Sequence, residues 1–389
     1  MSTATALAVP ARRWAAVPAR LRTGAGFVLA AVLLFAVAPA VLSDFRLGLL
    51  GKFLCFAIVA AGIGLAWGRG GMLTLGQGLF FGMGAYVMAM HLKLADAQVR
   101  GDAVPDFMAI AGVREVPGWW QPFSSPVVTL LAVLLAPGAV AVVLGLMVFK
   151  RRVKGAYFAI LSQALAAAFA TWVIGQQMLG GSNGLNRFRT FFGFDLADPA
   201  NRRLLFFIAA GTLLVVVAVV RQLMHSRYGE LLVAVRDQEE RVRFLGYDPA
   251  NVKVVAYAVA ATFAGIAGAL FVPLVGIISP SDVGIVPSIA FLIGVAIGGR
   301  ATLLGPVLGA IGIAWAESSL SESFPSAWVY AQGALFILVV GFLPGGLASL
   351  GGLLRRRRAP ARQEASDGGT PGEPARPVPT TELEKEPVA

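Results

Sequence analysis

Apolar runs of about 20 residues recur along most of the chain, separated by short polar or glycine-rich breaks. That is the length an α-helix needs to cross the hydrocarbon of a bilayer. The runs fall at 25–42, 46–67, 72–92, 126–149, 156–178, 203–223, 252–275, 283–299, 301–320 and 328–349. The eighth is short, so a re-entrant or broken segment is expected there. The pattern predicts an all-α polytopic integral membrane helix bundle of about ten transmembrane or re-entrant helices. An even number places both termini on one side.

Charge orients this bundle. Arg12, Arg13, Arg20 and Arg22 precede the first run, and Lys150, Arg151, Arg152 and Lys154 lie between the fourth and fifth. Arg227, Arg236, Arg241 and Arg243 lie between the sixth and seventh, and Arg355 to Arg358 follow the last. Ten spans put all four groups on one face, which the positive-inside rule makes cytoplasmic. The expected organisation is a cytoplasmic segment 1–24, a transmembrane domain 25–350 and a disordered cytoplasmic tail 351–389, rich in Pro, Glu and Thr. Loops 93–125 and 179–202 then face the periplasm and 224–250 the cytoplasm. Loop 179–202 goes against the rule, since it places Arg187, Arg189, Arg202 and Arg203 outside. Residues 1–40 have a second reading as a signal peptide ending at Ala38-Pro39-Ala40. Trp119 and Trp120, beside the fourth run, are expected in an interfacial belt, or in contact with an external partner.

Composition agrees: 57% of the 389 residues are hydrophobic and only 14% charged. An ordinary soluble domain has about 25% charged residues. The net charge of +11 sits at span ends, so it calls for a lipid bilayer and no nucleic acid.

The polar stretch 221–251 is the most informative. Residues 230–246 have the pattern of a short amphipathic helix stopped by Gly246, which can take the left-handed conformation after a helix end. Asp248 before Pro249 suits the cap and first turn of the next helix. A short helix between two spans on the basic face is a docking element for a cytoplasmic protein.

Catalytic signatures are missing. The chain has no GxxxxGK[ST], H-E-x-x-H, G-x-S-x-G or C-x-x-C, and its single cysteine is Cys55. No enzyme activity, cofactor or metal site is expected. Few ionisable residues fall within spans: Glu317 lies towards an outer end, and Lys52 near the end of its run, where its stem could reach the interface. Proton-driven pumps usually need buried carboxylates or histidines, so the energy source is expected on another chain.

Two glycine-rich breaks stand at 68–78 and 298–306. Glycine-interrupted spans at matching places in two halves point to a translocation site. The candidates are Gly76, Gln77, Gly78, Gly298 and Gly299. Gln77 can donate and accept hydrogen bonds; it either meets a solute or ties two helices together. GxxxG pairs such as Gly64/Gly68, Gly78/Gly82, Gly294/Gly298 and Gly305/Gly309 arise about as often by chance at 46 glycines, so spacing alone identifies no interface.

Several motifs carry a resemblance. TLGQGLFFGMGAY (74–86), VRDQEERVRFLGYDPANVKVVAYAVAATFAGIAGALF (235–271) and GVAIGGRATLLGPVLGA (294–310) resemble the permease subunits of ABC importers for branched-chain amino acids and urea. PDFMAI (105–110), WWQPF (119–123), YFAILSQAL (157–165), GGSNGLNRF (180–188) and VRFLGY (242–247) look most like the second permease subunit of the urea importer. The resemblance covers residues 45–347. It departs at Ala301, where glycine is usual, and at Gln77, where many relatives carry histidine.

The resemblance implies a bacterial inner-membrane permease that pairs with a second homologous permease subunit. It implies two ABC ATP-binding subunits beneath the pair and a periplasmic solute-binding protein above it. The loop that contacts the ATPase then contains Arg236, Asp237, Glu239, Glu240, Arg241 and Gly246. The solute is urea or a short amide, with a branched-chain amino acid as the alternative. The scarcity of charge within the spans favours a neutral solute, because a zwitterion calls for charged partners. A stand-alone facilitator has no need of the docking element.

Overall fold

The computed structural model describes residues 19–153 and 155–323, together with 330, 332–335, 337, 338 and 346. Helix α1 (Ala19–Val32) passes through a π-turn (Leu33–Val37) into α2 (Ala38–Val41). Helix α3 (Asp44–Ile63) ends in a second π-turn (Gly64–Arg69), and α4 (Gln77–Arg100) follows. After the short α5 (Asp106–Ile110) come α6 (Pro126–Phe149), α7 (Gly155–Gly175) and α8 (Pro199–Met224). Then come α9 (Arg227–Phe244), α10 (Pro249–Val275), α11 (Ile285–Gly298) and α12 (Gly305–Ser323). Four two-residue strands pair antiparallel: β1 (Leu185–Asn186) with β4 (Ile277–Ile278), and β2 (Thr190–Phe191) with β3 (Phe194–Asp195).

Helices α3, α4 and α10 form the centre, and α10 packs on α3, α4 and α6. Glycine lets these backbones touch. A Cβ on Gly84 would lie 1.9 Å from the carbonyl oxygen of Gly265, and one on Gly268 would lie 1.9 Å from that of Phe81. Helices α11 and α12 form a hairpin of the same kind, in which Gly298 abuts Gly305 and Gly309 abuts Gly294. The GxxxG pairs that spacing could not single out are therefore used, here across one hairpin. Segment 24–41 is peripheral: 6% of its apolar window is buried, against 78% for 44–69. It leans on α8 through a stacked Phe35–Phe207 pair at 5.6 Å.

The helix ends collect on two opposite faces. One carries α9, the turn at 68–71 and the 299–304 turn. The other carries α5, β1–β4 and the Arg203–Asp44 ion pair at 2.7 Å, which joins the starts of α8 and α3.

Among the described residues, eight helices are long and apolar enough to cross a membrane, against the ten expected. The run 301–320 forms α12 but is not one of the eight. The run 328–349 and the tail 351–389 lie largely or wholly outside the described residues. Helix α11 alone spans about 21 Å, short of the roughly 30 Å of hydrocarbon. It reaches spanning length only with the 3₁₀ turn Pro280–Asp282 before it.

Two local expectations are corrected. Loop 93–125 starts later than its number implies, because α4 continues to Arg100. Lys93 and Asp96 stay helical and buried because the outer loops supply their partners: Asp106 for Lys93, and Arg189 and Thr190 for Asp96. Trp120 is no belt residue. It is fully buried and packs on Phe107 at 5.9 Å, while Trp119 stays half-exposed.

Candidate functional site

The break at 68–78 ends at the N-terminus of α4, where two other helices clamp the backbone. Ser162 of α7 accepts the Leu75 N–H at 3.0 Å, and Ser288 of α11 accepts the Gly78 N–H at 3.0 Å. Each serine also donates to its own helix, Ser162 to Ala159 and Ser288 to Gly284. No side chain fits at either flanking position. A Cβ on Gly76 would lie 2.1 Å from the Ser162 carbonyl oxygen, and one on Gly78 would lie 2.6 Å from that of Val283.

Gln77 sits between them, 1% exposed. Its Nε2 reaches Thr74 Oγ1 only at 3.5 Å, and its Oε1 has no hydrogen-bond partner among the described residues. A buried amide oxygen left without a donor costs about 1–3 kcal/mol, so such an atom needs an explanation.

The second break does not join this site. Gly298 and Gly299 lie ten residues along α11 from Ser288, about 15 Å at 1.5 Å per residue. Gly298 is packed against α12, and Gly299 takes φ +105°. The two breaks meet instead at their other ends. Gly68 abuts the carbonyl of Arg300, Gly64 abuts Pro306, and the Arg300 guanidinium lies 4.9 Å from the centre of the Trp67 ring.

Charge is not absent from the spans. Lys52, Asp282 and Glu317 line one cavity with Phe56, Phe271 and Phe291. The Lys52 ammonium lies 5.6 Å from the centre of the Phe56 ring.

The candidate docking segment is capped at both ends. Ser226 caps α9 by accepting from Gly229 N, and Asp248 caps α10 by accepting from Ala250 N, with Pro249 in its first turn. The expected single helix over 230–246 is instead two pieces, broken at Gln238 (φ −147°, ψ 62°). The break lies between two anchors. Arg236 Nη1 donates to the Gly68 carbonyl at 2.8 Å, and Glu239 pairs with Lys253 of α10 at 2.6 Å.

Arg236 donates to both carboxylate oxygens of Asp237, which holds that carboxyl below the usual range. Glu239 and Glu240 both pair with Arg243. Arg241 is exposed. Gly246 takes φ +87°, and the space around it is open. Beside it, Phe244, Leu245 and Tyr247 are 89%, 75% and 54% exposed.

Residues 45–340 match the family described as branched-chain amino acid transport system / permease component. The chain belongs to this family. Two similar proteins are the high-affinity branched-chain amino acid transport system permease protein LivM of Escherichia coli (strain K12) and that of Salmonella typhimurium (strain LT2). Each is 26% identical over 345 residues, covering 82% of this chain and 74% of the relative. No solved structure matches. As a permease with eight apolar helices among its described residues, the chain is a multi-pass protein of the bacterial inner membrane.

In this permease, several residues around the candidate site carry little signal of their own in the sequence. The apolar tip Phe244, Leu245 and Tyr247 had one signal, large apolar residues just after a polar amphipathic stretch. Ser162 and Ser288 had none, because a lone serine in an apolar run reads as neutral.

Proposed function

We propose that this chain is one of two permease subunits of an ATP-driven importer for urea or a short amide. The observation that carries this reading is Gln77 Oε1, an amide oxygen buried at the end of a glycine break with no donor of its own. An uncharged amide solute brings N–H groups that suit such an oxygen, and the motifs at 105–110, 119–123 and 180–188 that resemble the urea importer support that choice. The second permease subunit completes the pathway. Two ABC ATP-binding subunits engage the α9 face, which is cytoplasmic. There the apolar tip at Phe244, Leu245 and Tyr247 is the surface offered to an ATPase; buried aromatic anchors commonly dominate such contacts. A periplasmic binding protein delivers the solute to the opposite face. Uptake of radiolabelled urea and leucine by cells with and without this subunit tests the reading. Urea uptake that needs the subunit supports it, and leucine uptake alone removes the amide choice.

A branched-chain amino acid is the second reading. The cavity with Lys52, Asp282 and Glu317 beside three phenylalanines favours it, since a zwitterion with an apolar side chain suits opposite charges over an aromatic lining. The similarity to the two branched-chain amino acid permeases points the same way.

A further inference from the structure

Four arginines stand on the face opposite α9, where the positive-inside pattern leaves few: Arg187 and Arg189 on the loop before α8, Arg202 and Arg203 in the first turns of α8. Two have work within the chain: Arg202 donates to the Leu196 carbonyl at 2.8 Å, and Arg203 pairs with Asp44. Arg187 and Arg189 are exposed, and their side chains have no hydrogen bond or ion pair among the described residues.

Their backbone, by contrast, is tightly held. The buried Asp96 carboxylate accepts from Arg189 N and Thr190 N at 2.9 Å each and from Thr190 Oγ1 at 2.7 Å. Just before them, Leu185 and Asn186 pair with Ile278 and Ile277. Arg187 takes φ +59°, a left-handed conformation that residues with a Cβ avoid unless their surroundings impose it.

This rigid loop forms one wall of a cleft of about 550 Å³, with Arg187 on its lining. The facing wall is Lys93, Asp106, Phe107 and Ile110. Lys93 and Asp106 satisfy each other at 3.0 Å. Burial pushes the Asp106 carboxyl up, but its bond to Lys93 and the Lys93 charge hold it below the usual range, so it stays ionised. Arg187 is thus the unpaired charge of the cleft, and Ile110, 88% exposed, is its bare apolar rim. The volume is far more than one urea-sized solute fills and is enough to take in a few side chains of a partner.

We propose that this cleft receives an acidic surface segment of the soluble binding protein that delivers the solute. A carboxylate of that segment pairs with Arg187, its apolar neighbour covers Ile110, and Arg189 adds to the attraction. This rests on the reading of the chain as an importer subunit with α9 in the cytoplasm. Opposite charges of this kind act chiefly on encounter and register, and salt weakens them.

The test uses the assembled importer in nanodiscs and its own binding protein, with the dissociation constant measured at low and high salt. Arg187→Glu with Arg189→Glu weakens binding at least tenfold at low salt and flattens the salt dependence. Arg187→Gly accepts φ +59° without strain, so it keeps the loop intact, and it weakens binding several-fold. Lysine substitutions at acidic positions on the binding protein restore binding to the double variant. Unchanged affinity and salt dependence in assembled variants overturn the proposal, as does weakening that is insensitive to salt. If the wild-type complex holds no binding protein, the importer reading falls with it. If binding depends on charge but the solute is leucine, the cleft assignment stands and the amide reading falls.

Discussion

The Arg236 guanidinium donates from Nη1 to the carbonyl oxygen of Gly68 at 2.8 Å, joining the α9 segment to the first glycine break. Gly68 in turn abuts Arg300 at the second break. If α9 is the ATPase-contact element, a displacement of it would reach the backbone between α3 and α4 and the turn between α11 and α12 through these contacts. Arg236→Ala removes the link while leaving the exposed tip of α9 in place. The bond is charge-assisted but partly solvated, so its loss costs about 1 kcal/mol. Solute-stimulated ATP hydrolysis of the assembled importer should drop several-fold, measured beside the amount of complex recovered. Stimulation at the wild-type level would mean that the force takes another route.

Gly68→Ala is a harsher probe of the same contact. Its Cβ would fall 1.9 Å from the Arg300 carbonyl oxygen, which is backbone and cannot swing away. Overpacking of this kind costs about 1–3 kcal/mol. The expected outcome is less assembled protein and a lower Tm in detergent, with the α11–α12 hairpin displaced. An unchanged Tm would show that the turn at 299–304 yields freely.

The tip of α9 separates docking from folding. Phe244 is 89% exposed, so Phe244→Ala should leave the stability of the chain within about 0.5 kcal/mol and yet lower uptake at least tenfold. Gly246→Pro should abolish uptake with normal membrane insertion, because proline fixes φ near −65° while Gly246 holds φ +87°. Glu239→Ala should act differently. Its carboxylate is shared between Lys253 and Arg243, so the loss appears first as lower stability of the α9–α10 joint. Co-purification of the ATP-binding subunits with each variant tells the two effects apart.

Much of this architecture was legible because its signals are local. Twenty apolar residues make a span, a glycine after a polar helix ends it, and Asp248-Pro249 starts the next. The helix ends at 244 and 249 and the left-handed Gly246 followed from residues a few positions apart. What could not be read depends on residues far apart in the chain. Nothing near Lys52 in sequence says that Asp282 and Glu317 line the same cavity. Trp120 looked like a belt residue until α5 folded over it. The glycine pairs needed the α11–α12 crossing to distinguish them from chance. At the candidate solute site, glycine and Gln77 point to the place, whereas Ser162 and Ser288 come from other helices and carry no pattern of their own.

The sidedness proposed from the charge pattern has a direct test. Reporters fused after Arg152 and after His225 should give cytoplasmic signals, and one near Asp106 a periplasmic signal. One fused after Arg358 tests the C-terminal side, which lies beyond the described residues. A periplasmic signal at His225 would remove α9 from the reach of any ATPase and overturn the docking assignment at once.

Gln77→Leu tests the solute site itself. Leucine is close in size, so the packing between α4, α7 and α11 is largely kept. The serines that hold Leu75 N and Gly78 N are untouched. If Oε1 merely lacked a partner, its removal would relieve an unsatisfied buried atom and leave transport alone, with stability equal or higher. If Oε1 receives an N–H of the passing solute, the variant loses a hydrogen bond to a solute that has already given up its water. That loss is worth about 1–3 kcal/mol, or roughly 5- to 150-fold where this contact limits passage. Uptake of labelled urea should therefore fall at least several-fold while the amount of assembled complex holds and its Tm stays level or rises. Gln77→Glu adds a second measurement, because a carboxylate keeps the acceptor but must bury a charge, and it should lower both assembly and uptake. Wild-type uptake by a normally assembled Gln77→Leu importer would reduce Gln77 to a structural tie, and the pathway would then have to be sought at the Lys52 cavity.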